Sequence, residues 1–185
     1  MFVSFHKFLP FYILFLLIGT SDRIVSTFLG KKLTSDKSIR YDWAFPLSLY
    51  LYLFIVGMSV AEFFLKVKHI NLIFSLFGVI SFLGGAILRK KAISTLGDNW
   101  SLYTGIKKEH KLITSGIYYH LKHPYYLAVI LELAGACLVA NAFYSLTLVF
   151  LIQCPLLLVR IDLEEKILIN YFGDEYKNYK KGKFL

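Results

Sequence analysis

Apolar residues along this chain gather into four blocks separated by polar stretches, about Phe8 to Thr20, Trp43 to Leu65, Ile70 to Leu88 and Tyr125 to Val159. A hydrocarbon core about 30 Å thick takes roughly 20 helical residues to cross, so the pattern predicts membrane-spanning helices. The last block holds 35 residues, too many for one ordinary span, and Asn141 interrupts it near the middle between Ala140 and Ala142. It reads as a tight helical hairpin, which makes about five spans. The first block is short and follows Lys7, a pattern shared with cleaved signal peptides. Ile18-Gly-Thr-Ser is a poor cleavage site, however, and the hydrophobic pattern resumes at Ile24, so a retained helix is expected.

Composition sharpens this picture. Of 185 residues, 57% are hydrophobic and only 18% charged, with a mean hydropathy of +0.59, which is too apolar for one soluble core. The expected fold class is all-α, a polytopic membrane protein. The net charge of +9 does not indicate a nucleic-acid partner, because the basic residues fall between apolar runs and form no soluble basic face. They report topology instead. With Lys7 taken as outside, alternate connections carry five, seven and six Lys and Arg on one side against one, two and none on the other. The positive-inside rule then puts the N-terminus outside and both the connection 89–124 and the tail 160–185 in the cytoplasm. Cys137 and Cys154 both lie in apolar runs, where neither a disulfide framework nor a zinc site is expected. With no linker, repeat or low-complexity tract, one domain over 1–185 is expected: helices over 1–88, the connection, the hairpin 125–159 and the tail.

Three polar stretches carry candidate chemistry. In Glu109 to Tyr126, Thr114-Ser-Gly signals a turn and Pro124 suits the first turn of the next helix, where its missing N–H costs nothing. His123 then sits just outside a helix N-terminus, whose free N–H groups favour an anion. The alternative is that His120, Lys122 and His123 only anchor that helix at the lipid head groups. A metal site from His120 and His123 is disfavoured, because Pro124 breaks the helix and no further ligand is adjacent. In Arg160 to Glu165, Arg160 and Glu164 share a helical face. The fork of Arg160 suits a carboxylate, although an ordinary salt bridge would use the same spacing. In Tyr171 to Tyr179, Gly173 reads as a helix stop between aromatic residues that close over a pocket or lie at the interface. Two acids lie in apolar blocks and are functional candidates by default: Glu62, near enough to the interface to be structural, and Glu132, facing a partner helix or a polar cavity.

Together these stretches resemble the isoprenylcysteine carboxyl methyltransferase family, and the compact connections resemble its small prokaryotic members. The family pattern is close to H-x-L-V-T-x-G-x-Y-x-x-x-R-H-P-x-Y-x-G, then R-x-x-x-E-E and F-G-x-x-Y-x-x-Y. This chain reads His110-Lys-Leu112-Ile113-Thr114-Ser-Gly116-Ile-Tyr118, then Lys122-His123-Pro124-Tyr125-Tyr126-Leu-Ala128, Arg160-Ile-Asp-Leu-Glu164-Glu165 and Phe172-Gly173-Asp-Glu-Tyr176-Lys-Asn-Tyr179. The likeness spans Gly97 to Tyr179. Lys122 stands where the family usually has Arg, and Ala128 replaces a common Gly.

The resemblance implies S-adenosylmethionine as cofactor, in a cytoplasmic pocket built from the connection before the hairpin and the C-terminal segment. By that resemblance His110, Leu112, Ile113, Tyr118, His123, Pro124, Tyr125, Tyr126 and Glu164 line the cofactor site, and Arg160 holds the acceptor. The partners implied are a lipophilic or prenylated substrate and the membrane lipids. A carboxylate acceptor needs no general base; for a phenol, enol or amine, His123, Glu165 or Glu132 would be candidate bases. Rival readings are a phospholipid amine N-methyltransferase, an NADPH-dependent membrane reductase and a non-catalytic scaffold. The reductases' Lys-Tyr-Gly-x-x-Trp tail is missing, as no tryptophan follows Trp100.

Overall fold

The computed structural model describes residues 1–26, 43–101, 111–181 and 183. Its elements are a strand β1 (Phe2–Ser4), helix α1 (Phe5–Ile24), α2 (Ala44–Lys66), β2 (His69–Asn71), α3 (Leu72–Leu96), α4 (Pro124–Val139), α5 (Phe143–Leu148), α6 (Cys154–Phe172) and α7 (Asp174–Lys180). The described chain is helical apart from one antiparallel strand pair, in which Phe2 faces Asn71 and Ser4 faces His69. Among the described residues three helices are long and apolar enough to cross a membrane, Ala44–Lys66, Leu72–Asn99 and Phe143–Phe172, and Pro124–Val139 is a shorter apolar helix.

The third of these is continuous through a π-helical turn at Val149–Gln153. Pro155 follows at once. Its ring crowds the carbonyl four residues back, and the widened turn accommodates that crowding.

The tightest contact in the bundle is α3 against α4. A Cβ added at Gly78 would lie 2.5 Å from the Val139 nitrogen, and one at Gly135 would lie 2.6 Å from the Phe82 nitrogen. Backbones meet this closely only where side chains are absent, the small-residue packing of membrane helices. Ser75 and Ser81 reinforce it by donating to the Val139 and Leu131 carbonyls at 3.0 and 2.9 Å.

At one end of the bundle α4 ends at Asn141, whose φ of 54° supplies the left-handed step. Its side chain accepts from the Asn71 nitrogen at 2.9 Å and donates to Ser75 Oγ at 2.9 Å. Glu62 settles on the structural reading: its carboxylate accepts from the Tyr144 and Ser145 nitrogens and from Ser145 Oγ at 2.8 to 3.1 Å, capping the orphan N–H groups of α5. Phe8, Tyr12, Phe63, Ile70 and Val139 form the core beneath.

Towards the opposite end α3 runs to Leu96, eight residues past the limit expected from hydropathy. Arg89 had marked the start of a polar connection. It lies instead inside the helix, wholly buried, with its Nε 2.7 Å from Glu132 Oε1 and its Nη2 2.8 Å from Asp22 Oδ2. Two carboxylates from other helices supply what lipid cannot, and the helix continues. Glu132 therefore faces partner helices.

Candidate active site

The end of the bundle beyond Arg89 gathers the three motif-bearing stretches around one cavity. Gly97, at φ 56°, turns the chain out of α3, and Trp100 then stacks near Tyr125 with ring centroids 4.5 Å apart. Leu112 and Ile113 pass over the cavity before a single 3-10 turn at Gly116–Tyr119. His123 precedes α4 and Pro124 occupies its first turn, where the absent N–H is an orphan in any case. Gly173, at φ 59°, stops α6 and swings α7 back across the opening. The Tyr179 hydroxyl donates to the Tyr118 carbonyl at 2.7 Å, and Lys183 Nζ reaches the same oxygen at 3.3 Å.

The cavity measures about 970 Å³ when its open mouth is included. Its wall combines aromatic faces (Trp100, Tyr125, Tyr126, Phe172) with a few polar groups. Tyr126 donates to Glu164 Oε2 at 2.7 Å. Arg160 is buried, its guanidinium carbon 5.2 Å from the Phe45 ring centre and 5.3 Å from that of Tyr126.

A second cavity of about 1110 Å³, its open mouth included, lies among α1, α2, α3, α4 and α6. Phe15, Phe45, Leu49, Val56, Phe82, Val129 and Leu157 make it predominantly apolar. Tyr125, Tyr126 and Arg160 belong to both walls. A polar chamber and a greasy one thus adjoin at two tyrosines and a guanidinium.

The sequence profile of the isoprenylcysteine carboxyl methyltransferase (ICMT) family matches residues 76–170, which carry α4, the Arg160 and Glu164 face and most of the polar cavity's wall. The chain belongs to this family. It is similar to the protein-S-isoprenylcysteine O-methyltransferase of Schizosaccharomyces pombe, 31% identical over 172 residues, covering 85% of this chain and 73% of the relative. It is similar also to that of Xenopus laevis, 34% identical over 58% of this chain and 38% of the relative. With protein-S-isoprenylcysteine O-methyltransferase B of Arabidopsis thaliana it shares 32% identity over 56% of this chain and 53% of the relative. The chain therefore spans about half or less of the length of several relatives it matches. It is a membrane methyltransferase by family.

Of the residues that the family likeness assigned to this methyltransferase's cofactor site, Leu112, Ile113, Tyr118, His123, Tyr125, Tyr126 and Glu164 line the polar cavity. Pro124 is buried at the start of α4 and is not part of that wall. His110 lies outside the described residues. Arg160 stands at the junction. Glu165 departs from the expected catalytic place: it lies outside both cavity walls, and its carboxylate takes Lys122 Nζ at 3.3 Å, His123 Nε2 at 3.2 Å and Lys180 Nζ at 3.0 Å. Successive helical residues point about 100° apart, and here Glu164 faces the polar cavity while Glu165 turns to Lys122, His123 and Lys180. Glu165 ties the chain before α4 to α7.

The motif reading missed Trp100, Ile167 and the charged set Asp22, Arg23 and Arg89 around the buried Glu132. The rule that an intramembrane charge is functional unless paired was the signal available for Arg23 and Arg89. Both had been counted only as topological charge.

The phenols of the mouth are donors. Burial pushes Tyr179 up to about 12. It also lifts Tyr118, further raised by Glu164, and Tyr176, further raised by Glu165 and Glu164. All three stay protonated at neutral pH, so none is a base.

Proposed function

We propose that the protein transfers a methyl group from S-adenosylmethionine to the carboxylate of an isoprenylcysteine-type lipophilic acceptor at the membrane border. The observation that carries this reading is the shared wall of Tyr125, Tyr126 and Arg160 between a polar, aromatic chamber and an apolar one. The polar chamber suits the cofactor on chemical grounds. A sulfonium is favoured by aromatic faces and by a carboxylate, which Trp100, Tyr126 and Glu164 offer, and the buried Tyr176 hydroxyl has no hydrogen-bond partner among the described residues. S-adenosylmethionine supplies there a methyl group on a positively charged sulfur. Leu112, Ile113, Tyr118, His123, Tyr125, Tyr126 and Glu164 hold it, and α7 covers it.

The rest falls to the chain's own residues. A carboxylate is ionised at neutral pH, so no general base is needed. Arg160 holds its oxygens, aims one of them across the junction and leaves the lipid tail in the apolar chamber. Exclusion of water by the tyrosine pair and by α7 keeps the acceptor oxygen unhydrated, and alignment supplies most of the acceleration. In the membrane we place α1 to α4 and Phe143–Phe172 as five crossings, the last two a hairpin. The N-terminus lies outside; the polar chamber and the tail are cytoplasmic.

The test uses purified protein in detergent. Radiolabelled S-adenosylmethionine should bind saturably to wild type and to Arg160→Ala but weakly to Glu164→Ala, and only wild type should methylate N-acetyl-S-farnesylcysteine at a normal rate. Transfer to a hydroxylated lipid in place of the farnesylated acid would overturn the acceptor; absence of cofactor binding by folded wild type would overturn the reading.

A further inference from the structure

The apolar chamber carries a cation that the motif-bearing half of the chain does not supply. Arg23, on the last turn of α1, belongs to its wall, with the side chain 17% exposed. The guanidinium lies over the Tyr52 ring, 4.2 Å from its centre, and pairs with Glu132 Oε2, while Glu132 Oε1 takes Arg89. Asp22 in turn pairs with Arg89 and with Lys90. Of the cations in this group, Arg23 is the one set in the wall of the chamber. A charge there is expensive, and a hydrophobic side chain would serve packing as well.

We propose that Arg23 is a specificity-determining residue of the acceptor site, giving the apolar chamber a second guanidinium beside Arg160 so that it admits lipids with an anionic, oxygen-rich head group. A guanidinium has five N–H donors and no acceptor. The group it faces must therefore accept, as carboxylate and carbonyl oxygens do and an ammonium does not. Tyr52 and Glu132 hold Arg23 in place before any ligand arrives, so little freedom is lost on binding. An amine-headed lipid would meet two cations and no partner. This rests on the methyl-transfer reading for the place of the acceptor but concerns a residue of α1, which the family pattern does not contain.

The experiment measures binding apart from turnover. Three probes share one farnesyl thioether tail and end in a carboxylate, a carboxamide or a primary amine; each is titrated calorimetrically against detergent-solubilised protein, and methylation of N-acetyl-S-farnesylcysteine is followed separately. Wild type should bind the acid at least about tenfold more tightly than the carboxamide, as for loss of a charge-assisted hydrogen bond, and the amine least. Arg23→Gln should lose most of that preference while its S-adenosylmethionine affinity stays within about twofold. Glu132 remains paired with Arg89 in that variant, which protects the fold. Arg23→Lys should keep the order of acid over amine and lose part of the margin. An unchanged acid-to-carboxamide ratio in folded Arg23→Gln or Arg23→Lys, with wild type still methylating, overturns the role of Arg23 and leaves the reaction standing. A wild type that binds no probe and methylates nothing overturns both.

Discussion

Glu132→Leu tests whether the buried charges are a structural unit. In the wild type one carboxylate, fully buried, serves two guanidiniums on different helices, Arg23 of α1 and Arg89 of α3. Removing it takes one carboxylate from Arg89, which keeps Asp22 and Ser26, and leaves Arg23 over the Tyr52 ring. Breaking a buried pair by deleting one partner costs about 3–5 kcal/mol. The surviving Asp22 contact and the partial exposure of Arg23 favour the lower end, about 3 kcal/mol. For a chain of this size each kcal/mol lowers the midpoint by about 2–4 °C, so a loss of about 6–12 °C is expected. Thermal unfolding in detergent, read by a thiol-reactive dye that reports exposure of the buried Cys137, measures it. Replacing three members of the charged set, Arg23→Met with Arg89→Met and Glu132→Leu, should recover part of the loss, because Asp22 keeps Lys90 and no charge is stranded. A single-variant shift under about 2 °C, or a combined variant less stable than the single one, would refute the reasoning.

The α3 and α4 contact leaves no room at Gly78, where an added Cβ meets backbone at 2.5 Å; Gly78→Val should cost about 1–3 kcal/mol or more, seen as a lowered midpoint in the same dye assay. Glu62→Ala should strip the cap from α5 at a cost of about 1–2 kcal/mol while leaving S-adenosylmethionine affinity within about twofold, because that cap lies at the far end of the bundle from the polar chamber. Tyr179 ionises near 12 when folded against 10.0 unperturbed, so its contribution to docking α7 is intact below about pH 10 and is lost as pH rises through about 12. Near-ultraviolet circular dichroism of wild type against Tyr179→Phe should show this alkaline transition in the former and a weaker one in the latter.

Where structure follows from nearest neighbours, the sequence was readable. Pro124 opens α4, Gly173 closes α6 and Asn141 turns the chain, each through its own backbone chemistry. The polar chamber was legible for a related reason, since its lining comes mainly from three short stretches with recognisable spacing. The far boundary of α3 was not. Hydropathy treats Arg89 as a stop, and the two carboxylates that cancel it lie 67 and 43 residues away along the chain. Glu164 and Glu165 are adjacent in sequence and alike in chemistry, and which of them faces the chamber depends on how α6 is rotated against α4. Apart from Tyr125, Tyr126 and Arg160, the wall of the apolar chamber carries no motif, because it is the gap left between helices distant in sequence.

The ion pairs of α1 also bear on how the protein is made. Its Asp22 and Arg23 are translated long before their partners Arg89 and Glu132, the latter 109 residues later. Until α3 and α4 emerge, Asp22 and Arg23 lack the partners that hold them in the finished bundle. A ribosome pausing before Glu132 is translated would leave a chain whose first helix is complete and whose ion pairs are not.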